Sequence, residues 1–591
     1  MTYETWTSLP DMFFDTAKKN SEKPFLWSKI DGIYQSLAWK DIAAQVEQLA
    51  NGLQIAGIQA GDRVVLVSEN RPEWVIADLA IMSTGAITVP AYTTNQIKDH
   101  QHILNDSGAK AVFVSTQQLA SQLIPASEKC GNLEFIISIE NLNNNDSTKS
   151  IYSWNQILDL GKKDSQNIEK LISNHNRDDV ACIIYTSGTG GQPKGVMLSH
   201  HSIISNCKGA RSILEELGVH DEIFLSFLPL SHAYEHTAGL YFPVSISAEI
   251  YFSEGIEKLA TNLIEVKPTL MISVPRLYEV MYAKILQAVR KEGGIKEYLF
   301  SSAVKIGSLN YENPNNLNLP NKVTNQLLNL LVRKKIRARF GGRLKAMISG
   351  GAPLNFEVGI FFTALGVRLL QGYGQTEAAP VISCNRPNSI DLNTVGSALD
   401  GVKIKIADDG EILVSGPLVM KGYWNDADST SLTIREGWLH TGDVGHLDSQ
   451  NRIKITDRKK DIIVLSGGDN VSPQRVEGVL TLQPVIAQAM VVGDKKPHLV
   501  ALLVPDQDFV NQWKKSKNVV IKELDKNNEF LKIISDAVED ANNQLSRIDR
   551  IKGFIITFDE FSVQNELMTP TLKVRRHKVS EIYQESLNSL Y

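Results

Sequence analysis

Short apolar runs recur along the chain, each bounded by glycine, proline or polar clusters. Residues 64–67, 111–115, 180–184, 250–252, 270–274 and 346–349 are rich in β-branched side chains and have the length of buried strands. Helical patterns separate them, and this alternation predicts a mostly parallel α/β sheet system. The longest apolar stretch, 74–90, is interrupted by Asp78, Gly85 and Pro90, so a buried helix leading into a strand is expected rather than a membrane span. Residues 141–150 are polar and asparagine-rich, the composition of a surface loop. From 396 to 423 the pattern changes to short strands with Asp-Gly turns at Asp400-Gly401 and Asp409-Gly410, which predicts a small antiparallel unit. Beyond Lys460 the chain reads as α+β. Residues 485–492 and 498–504 form a hairpin around 493–497, and helices and a strand at 554–558 follow. A charged run, Asp457-Arg458-Lys459-Lys460-Asp461, separates the two patterns, and no internal repeat is visible.

Composition narrows this picture modestly. A chain of 591 residues exceeds one hydrophobic core, so two or more domains are expected. Apolar content of 43% and charged content of 21% are those of an ordinary globular protein, and a net charge of −5 gives no general reason to expect nucleic acid. Cys130, Cys182, Cys207 and Cys384 lie far apart without a Cys-x-x-Cys pair, which suggests neither disulfides nor a thiolate metal site. No basic start followed by an apolar run opens the chain, so a cytoplasmic enzyme is expected, with room for peripheral contact on the inner face of the membrane. Residues 323–340 bear on that contact: Leu327, Leu331 and Phe340 are interleaved with Arg333, Lys334, Lys335, Arg337 and Arg339, a basic amphipathic pattern that suits anionic lipid or a solvated helix.

The densest chemical signal is Tyr185-Thr186-Ser187-Gly188-Thr189-Gly190-Gly191-Gln192-Pro193-Lys194-Gly195. It follows the strand at 180–184. Glycines let backbone N–H groups approach an anion, hydroxyls add donors, and a lysine adds a point charge, so the loop suits a polyphosphate. It is not a Walker loop, because Pro193 precedes Lys194 and Gly195 follows it; nor is it G-x-G-x-x-G, because Pro193 stands where the third glycine belongs.

The loop resembles the phosphate loop of the adenylate-forming superfamily of acyl- and aryl-CoA synthetases, luciferase-type enzymes and nonribosomal adenylation domains, with Gly190 replacing the usual threonine. The resemblance recurs in order along the chain. Leu228-Pro229-Leu230-Ser231-His232, Ser349-Gly350-Gly351-Ala352-Pro353, Gln371-Gly372-Tyr373-Gly374-Gln375-Thr376-Glu377, Trp438-Leu439-His440-Thr441-Gly442-Asp443 and Thr569-Pro570-Thr571-Leu572-Lys573 are similar to the family's further motifs. The last lacks the common Gly-Lys pair.

The resemblance implies a large N-terminal domain, 1–459, of doubly wound α/β subdomains with a small β-barrel-like unit, and a smaller mobile α+β C-terminal domain, 460–591, hinged at Lys460. It implies that ATP or AMP meets Thr186, Ser187, Gly188, Thr189, Gly190, Gly191 and Lys194, then Gly350, Gly351 and Ala352 along the adenine, and Gln371, Gly372, Tyr373, Gly374 and Thr376. Asp443 and Arg458 would take the ribose, Glu377 would hold Mg²⁺, and His232 would lie near acyl group and phosphate. Lys573 would stabilise the adenylation transition state. Tyr234 and Gly239 would begin the acyl path, and Gly467 and Gly468 would line the passage for coenzyme A, the co-substrate. The helical insertion between Val274 and Gly350 resembles the long-chain fatty-acid–CoA ligase branch. A fatty acyl-AMP ligase or another acid–CoA ligase stays open, as does oligomeric state. A rival from another class is the string His232-Ala233-Tyr234-Glu235-His236, which fits an H-x-x-E-H zinc peptidase pattern.

Overall fold

A computed structural model describes residues 3–143, 147–163, 168–186, 192–313, 318–517, 521–562, 564–569 and 574–591. Two large sheets dominate the first part of the chain. One has eight strands in the spatial order Gly422–Tyr423, Lys194–Ser199, Val180–Thr186, Ile87–Ala91, Arg63–Val67, Ala111–Val114, Phe135–Ser138 and Ser150–Ser153. From Val180–Thr186 to Ser150–Ser153 all pairings are parallel, and Lys194–Ser199 turns back antiparallel as a hairpin on Val180–Thr186. The second sheet has nine strands, with Leu270–Ser273, Ala346–Ser349 and Leu369–Gly374 running parallel side by side. The alternation of apolar runs and helical patterns thus yields the expected doubly wound sheets.

The stretch 74–90 shows why that layering holds. It folds as the helix Pro72–Ser83 followed by the strand Ile87–Ala91. Within the helix Glu73 alone escapes full burial, so it is apolar all round and sits in one cluster with side chains of both large sheets. No helix among the described residues is long and apolar enough to cross a membrane.

The antiparallel unit expected at 396–423 is built differently. A five-stranded curled sheet comprises Lys403–Ile406, Glu411–Ser415, Trp438–Leu447, Ile434–Arg435 and Ile453–Arg458. Ser397–Ala398 instead ends the nine-stranded sheet and Gly422–Tyr423 ends the eight-stranded one. Two-residue strands carry too little pattern to declare a partner, and tertiary packing assigns them. Beyond 460, the hairpin of Ile486–Val492 and Leu499–Pro505 is joined in parallel by Ile551–Ile556, earlier than the strand expected at 554–558. The amphipathic stretch 323–340 is a helix Leu319–Leu328, a π-helical turn Asn329–Arg333 and a helix Lys334–Arg339 rather than one surface helix. Arg333 and Phe340 point inward: the Arg333 guanidinium donates to the carbonyls of Ala364, Asn325 and Ala303.

Candidate active site

The motifs converge on a cleft of about 3090 Å³ whose walls come from both sides of residue 460. Thr186, Lys194, His232, Tyr234, Gly350, Gly351, Ala352, Gln371, Gly372, Tyr373, Gly374, Thr376, Glu377, Asp443, Arg458 and Lys460 all line it. Ser187, Gly188, Thr189, Gly190, Gly191 and Lys573 lie outside the described residues.

Strand ends explain the convergence. Thr186 ends the strand Val180–Thr186, Gly350 follows Ala346–Ser349, and the 371–374 segment ends Leu369–Gly374, so carboxyl ends of parallel strands from both large sheets face the cleft. Ligand sites in open α/β sheets form at such ends. Pairing of Thr186 with Lys194 brings the two ends of the phosphate-type loop together, and Pro193 is held by a 2.8 Å hydrogen bond between its carbonyl and His102 Nε2.

The Asp443 carboxylate is fixed from two directions. Cross-strand register sets Asp443 opposite Arg458, whose Nε donates to Oδ1 at 3.0 Å, while the Tyr373 hydroxyl donates to Oδ2 at 2.7 Å. Asp443 and Tyr373 are both buried, and burial beside the Asp443 charge drives the Tyr373 phenol well above its ordinary pKa, keeping it a donor. A buried, doubly anchored carboxylate with Arg458 at its edge can accept hydroxyl donors of a sugar.

Glu377, on the short helical turn Thr376–Ala378, accepts a 2.9 Å hydrogen bond from the Tyr423 hydroxyl at Oε1. Tyr423 reaches it because the two-residue strand Gly422–Tyr423 pairs with Lys194–Ser199, directly after the phosphate-type loop. No motif pointed to Tyr423; a lone tyrosine carries no signal until strand pairing brings it to the cleft. Lys194 stacks 5.1 Å over the Tyr423 ring, lies 3.3 Å from Asp426 and bonds Ser429, so its ammonium stands at the rim among these groups. The Gln371 side-chain amide donates to the Leu392 carbonyl at 2.7 Å, and both residues line the cleft.

The acyl-side residues separate. His232 lies at the cleft with Nδ1 accepting from the Tyr234 amide at 3.2 Å. Tyr234 is buried, and its hydroxyl donates to the Ile348 carbonyl at 3.0 Å. A Cβ on Gly350 would stand 2.9 Å from Tyr234 Cζ, so the glycine edge and the tyrosine ring fit only because that Cβ is absent. Gly239 does not line the cleft and leaves no open space: a Cβ there would be 2.4 Å from the Glu235 carboxyl carbon. The expectation of room for a chain at Gly239 is therefore corrected, because the π-helical turn Glu235–Tyr241 stacks the Glu235 carboxyl on it. Glu235 accepts from Ser226 at 2.6 Å, and burial pushes its pKa up to about 8. Gly467 and Gly468 sit in the turn joining Ile463–Val464 to Asn470–Val471, outside the cleft lining.

The zinc-peptidase string does not assemble a site. His236 is fully buried with Nε2 3.0 Å from Asp78, which also accepts from Tyr241, whereas His232 faces the cleft. Among the described residues no group of three or more His, Cys, Asp or Glu could hold a metal ion. The four cysteines are buried and unbridged.

With this geometry in view, comparison with known proteins is decisive. A family model described as AMP-binding enzyme matches residues 13–424, and one described as AMP-binding enzyme C-terminal domain matches 460–591. The chain belongs to the AMP-binding enzyme family. A long-chain-fatty-acid–CoA ligase of Mycobacterium bovis is 32% identical over 588 residues, covering 98% of this chain and 96% of that one. Long-chain-fatty-acid–CoA ligase 6 of Mus musculus is 30% identical, over 94% of this chain and 83% of its own. Among solved structures, the adenylation domain of a carboxylic acid reductase from Segniliparus rugosus, in complex with AMP and a co-purified carboxylic acid, has a TM-score of 0.80. It is 18% identical and covers 99% of this chain and 94% of its own, a likeness of fold.

Proposed function

We propose that this AMP-binding enzyme activates a long-chain fatty acid with ATP and transfers the acyl group to coenzyme A, releasing pyrophosphate and then AMP. The observation that carries the reading is the convergence of five separated motifs on one cleft in a chain whose relatives, matched over nearly its full length, are named long-chain fatty-acid–CoA ligases.

The residues divide the work by chemistry. The Asp443 carboxylate, held by Tyr373 and Arg458, takes the ribose hydroxyls, with the Gly350–Ala352 edge along the adenine. The 186–194 segment cradles the phosphates, and Thr376 adds a hydroxyl. Glu377 is the carboxylate for Mg²⁺. The donor set fits that ion: Glu377 offers a hard carboxylate oxygen held by Tyr423, no group of three or more His, Cys, Asp or Glu among the described residues forms a cage, and Mg²⁺ commonly binds through one or two carboxylates plus substrate phosphates. When bound, it supplies charge neutralisation at the phosphate oxygens. Lys573 stabilises the negative charge shared by attacking carboxylate and α-phosphate. The acyl chain enters past His232 and Tyr234. Domains 1–459 and 460–591 rotate about Lys460 between the two half-reactions. Lys459 and Lys460 are both exposed and form a turn that the Arg458 carbonyl closes by accepting from the Asp461 and Ile462 amides, and Lys459 is tied to Asp409 at 2.5 Å, so rotation at Lys460 would remake this turn.

Pyrophosphate release measured across acids of increasing length, with and without coenzyme A, tests the reading. Each buried methylene contributes about 0.8 kcal/mol, so kcat/KM should climb steeply with chain length. Acetate or benzoate outperforming palmitate overturns the long-chain assignment. Acyl-adenylate that accumulates without ever passing to coenzyme A makes the protein a fatty acyl-AMP ligase instead.

A further inference from the structure

Large apolar side chains left in water are unevenly distributed over this molecule. Of the eighteen exposed among the described residues, eight fall between 295 and 331: Ile295, Tyr298, Leu309, Leu319, Val323, Leu327, Leu330 and Leu331. That density is far above an even spread, so the segment needs a separate explanation. It comprises the helix Gly294–Glu312, the helix Leu319–Leu328 and the π-helical turn after it. Arg333 ties the far end of the second helix back to Ala303 on the first, so the two run antiparallel.

The second helix shows two faces. Asn321, Asn325, Leu328 and Val332 turn inward, while Leu319, Val323, Leu327 and Leu331, at successive spacings of four, form an exposed apolar stripe. Leu319 is 78% exposed and Leu330 61%, values that a helix packed on its own domain does not need. The stripe runs into a basic end: Lys334, Lys335 and Arg339, with Lys322 alongside, are exposed and form no ion pair among the described residues. Between positions 280 and 345 there are thirteen Lys and Arg against three Glu, a net of +10, in a chain of net −5. An anionic molecule thus carries one cationic, apolar cap.

We propose that the outer face of this helix pair docks on an anionic lipid bilayer. Water-exposed leucines beside an excess of exposed cations match a surface with phosphate charge outside and hydrocarbon beneath, whereas a nucleic acid would use the cations and leave the leucines without a partner. A protein groove of low charge would take the leucines and leave the cations unmatched. The docking face is distinct from the cleft and does not depend on which acid the enzyme activates.

Co-sedimentation of the full chain with vesicles of phosphatidylcholine containing increasing phosphatidylglycerol tests this. Binding should rise with anionic fraction and weaken, without vanishing, as salt is raised. Leu327→Asp with Leu331→Asp, both on the surface, should lower vesicle affinity at least ~10-fold and leave turnover of a dispersed acid unchanged. Lys334→Glu with Lys335→Glu should abolish the preference for anionic over neutral vesicles. Equal binding of both variants and the parent overturns the proposal. So does full competition by heparin with no effect of the leucine changes, which marks a polyanion site. A dimer in light scattering that the leucine changes dissolve, without vesicle binding by the parent, overturns it in favour of self-association.

Discussion

A lone carboxylate in a cleft for an anionic substrate is repulsive until a cation accompanies the substrate, so its position must be enforced by neighbours. Tyr423 does this for Glu377 through one hydrogen bond of 2.9 Å. Glu377→Ala is expected to lower adenylation and its reverse by about 10²–10³ in rate, the usual cost of one electrostatic element at a transition state. Tyr423→Phe should leave kcat at saturating Mg²⁺ nearly intact and raise the Mg²⁺ requirement roughly 10–100-fold, as loss of an outer partner does. Initial rates over a Mg²⁺ titration separate the two, and parental Mg²⁺ dependence in both variants would remove Glu377 from the metal role. Glu235 gives a different residue-scale test. Its folded pKa, about 8, exceeds the ordinary carboxyl value of 4.5, so the folded state holds a proton that the unfolded state releases between those values. That contribution is complete below pH 4.5 and is lost as pH rises towards 8. The Tm difference between parent and Glu235→Gln should therefore shift against the parent as pH rises from about 5 to 8; a difference constant across that window would show the carboxyl is not held protonated. Glu235 was legible in the sequence as part of a metal-binding string, and only burial against Gly239 reveals its other use.

At the scale of elements, the short strands and the glycine edge follow from pattern, but what they press against does not. Gly350 follows one parallel strand, and Tyr234 enters from a segment more than a hundred residues earlier to lie against it. Gly350→Ala should force the ring aside, at a cost of about 1–3 kcal/mol in stability for an overpacked methyl and with raised KM for ATP and acid together. Tyr234→Leu in the same background should recover part of the stability, because the shorter side chain gives the methyl room. Thermal unfolding of both variants checks this, and additive losses would mean that the two residues are not in contact. The stretch 323–340 teaches the same lesson from the outside. Its basic and apolar positions were readable, yet Arg333, which closes the π-helical turn Asn329–Arg333, and Phe340, which follows the helix Lys334–Arg339, are interior.

At the scale of the whole molecule, the cleft has walls from both sides of Lys460, joined by contacts such as the 3.3 Å hydrogen bond from Asn355 Nδ2 to the Gly478 carbonyl. In the proposed function, Lys573→Ala should lose adenylate formation, while preformed acyl-adenylate plus coenzyme A should still yield acyl-CoA at near parental rate. Lys460→Pro, which sets φ near roughly −65°, should do the reverse, sparing adenylation and slowing thioester formation. Single-turnover assays of each half-reaction decide. Equal loss of both steps in both variants, with folding intact, would remove the hinge at Lys460 and the single-step role of Lys573.

What the sequence by itself determined is whatever is encoded locally: alternating strands and helices, a buried helix at 72–83 that is apolar all round, and the motifs with their order. Apolar period and glycine placement act over a few residues, so they can be read without coordinates. The tertiary structure alone decided which residues those motifs meet. Tyr423 reaches Glu377 through a two-residue strand, Arg458 reaches Asp443 through cross-strand register, and His236 turns inward to Asp78 rather than joining His232. Each of these depends on pairing between segments far apart in the chain, where the energy that selects the partner is spread over two sheets and their shared core rather than over the residues that finally touch.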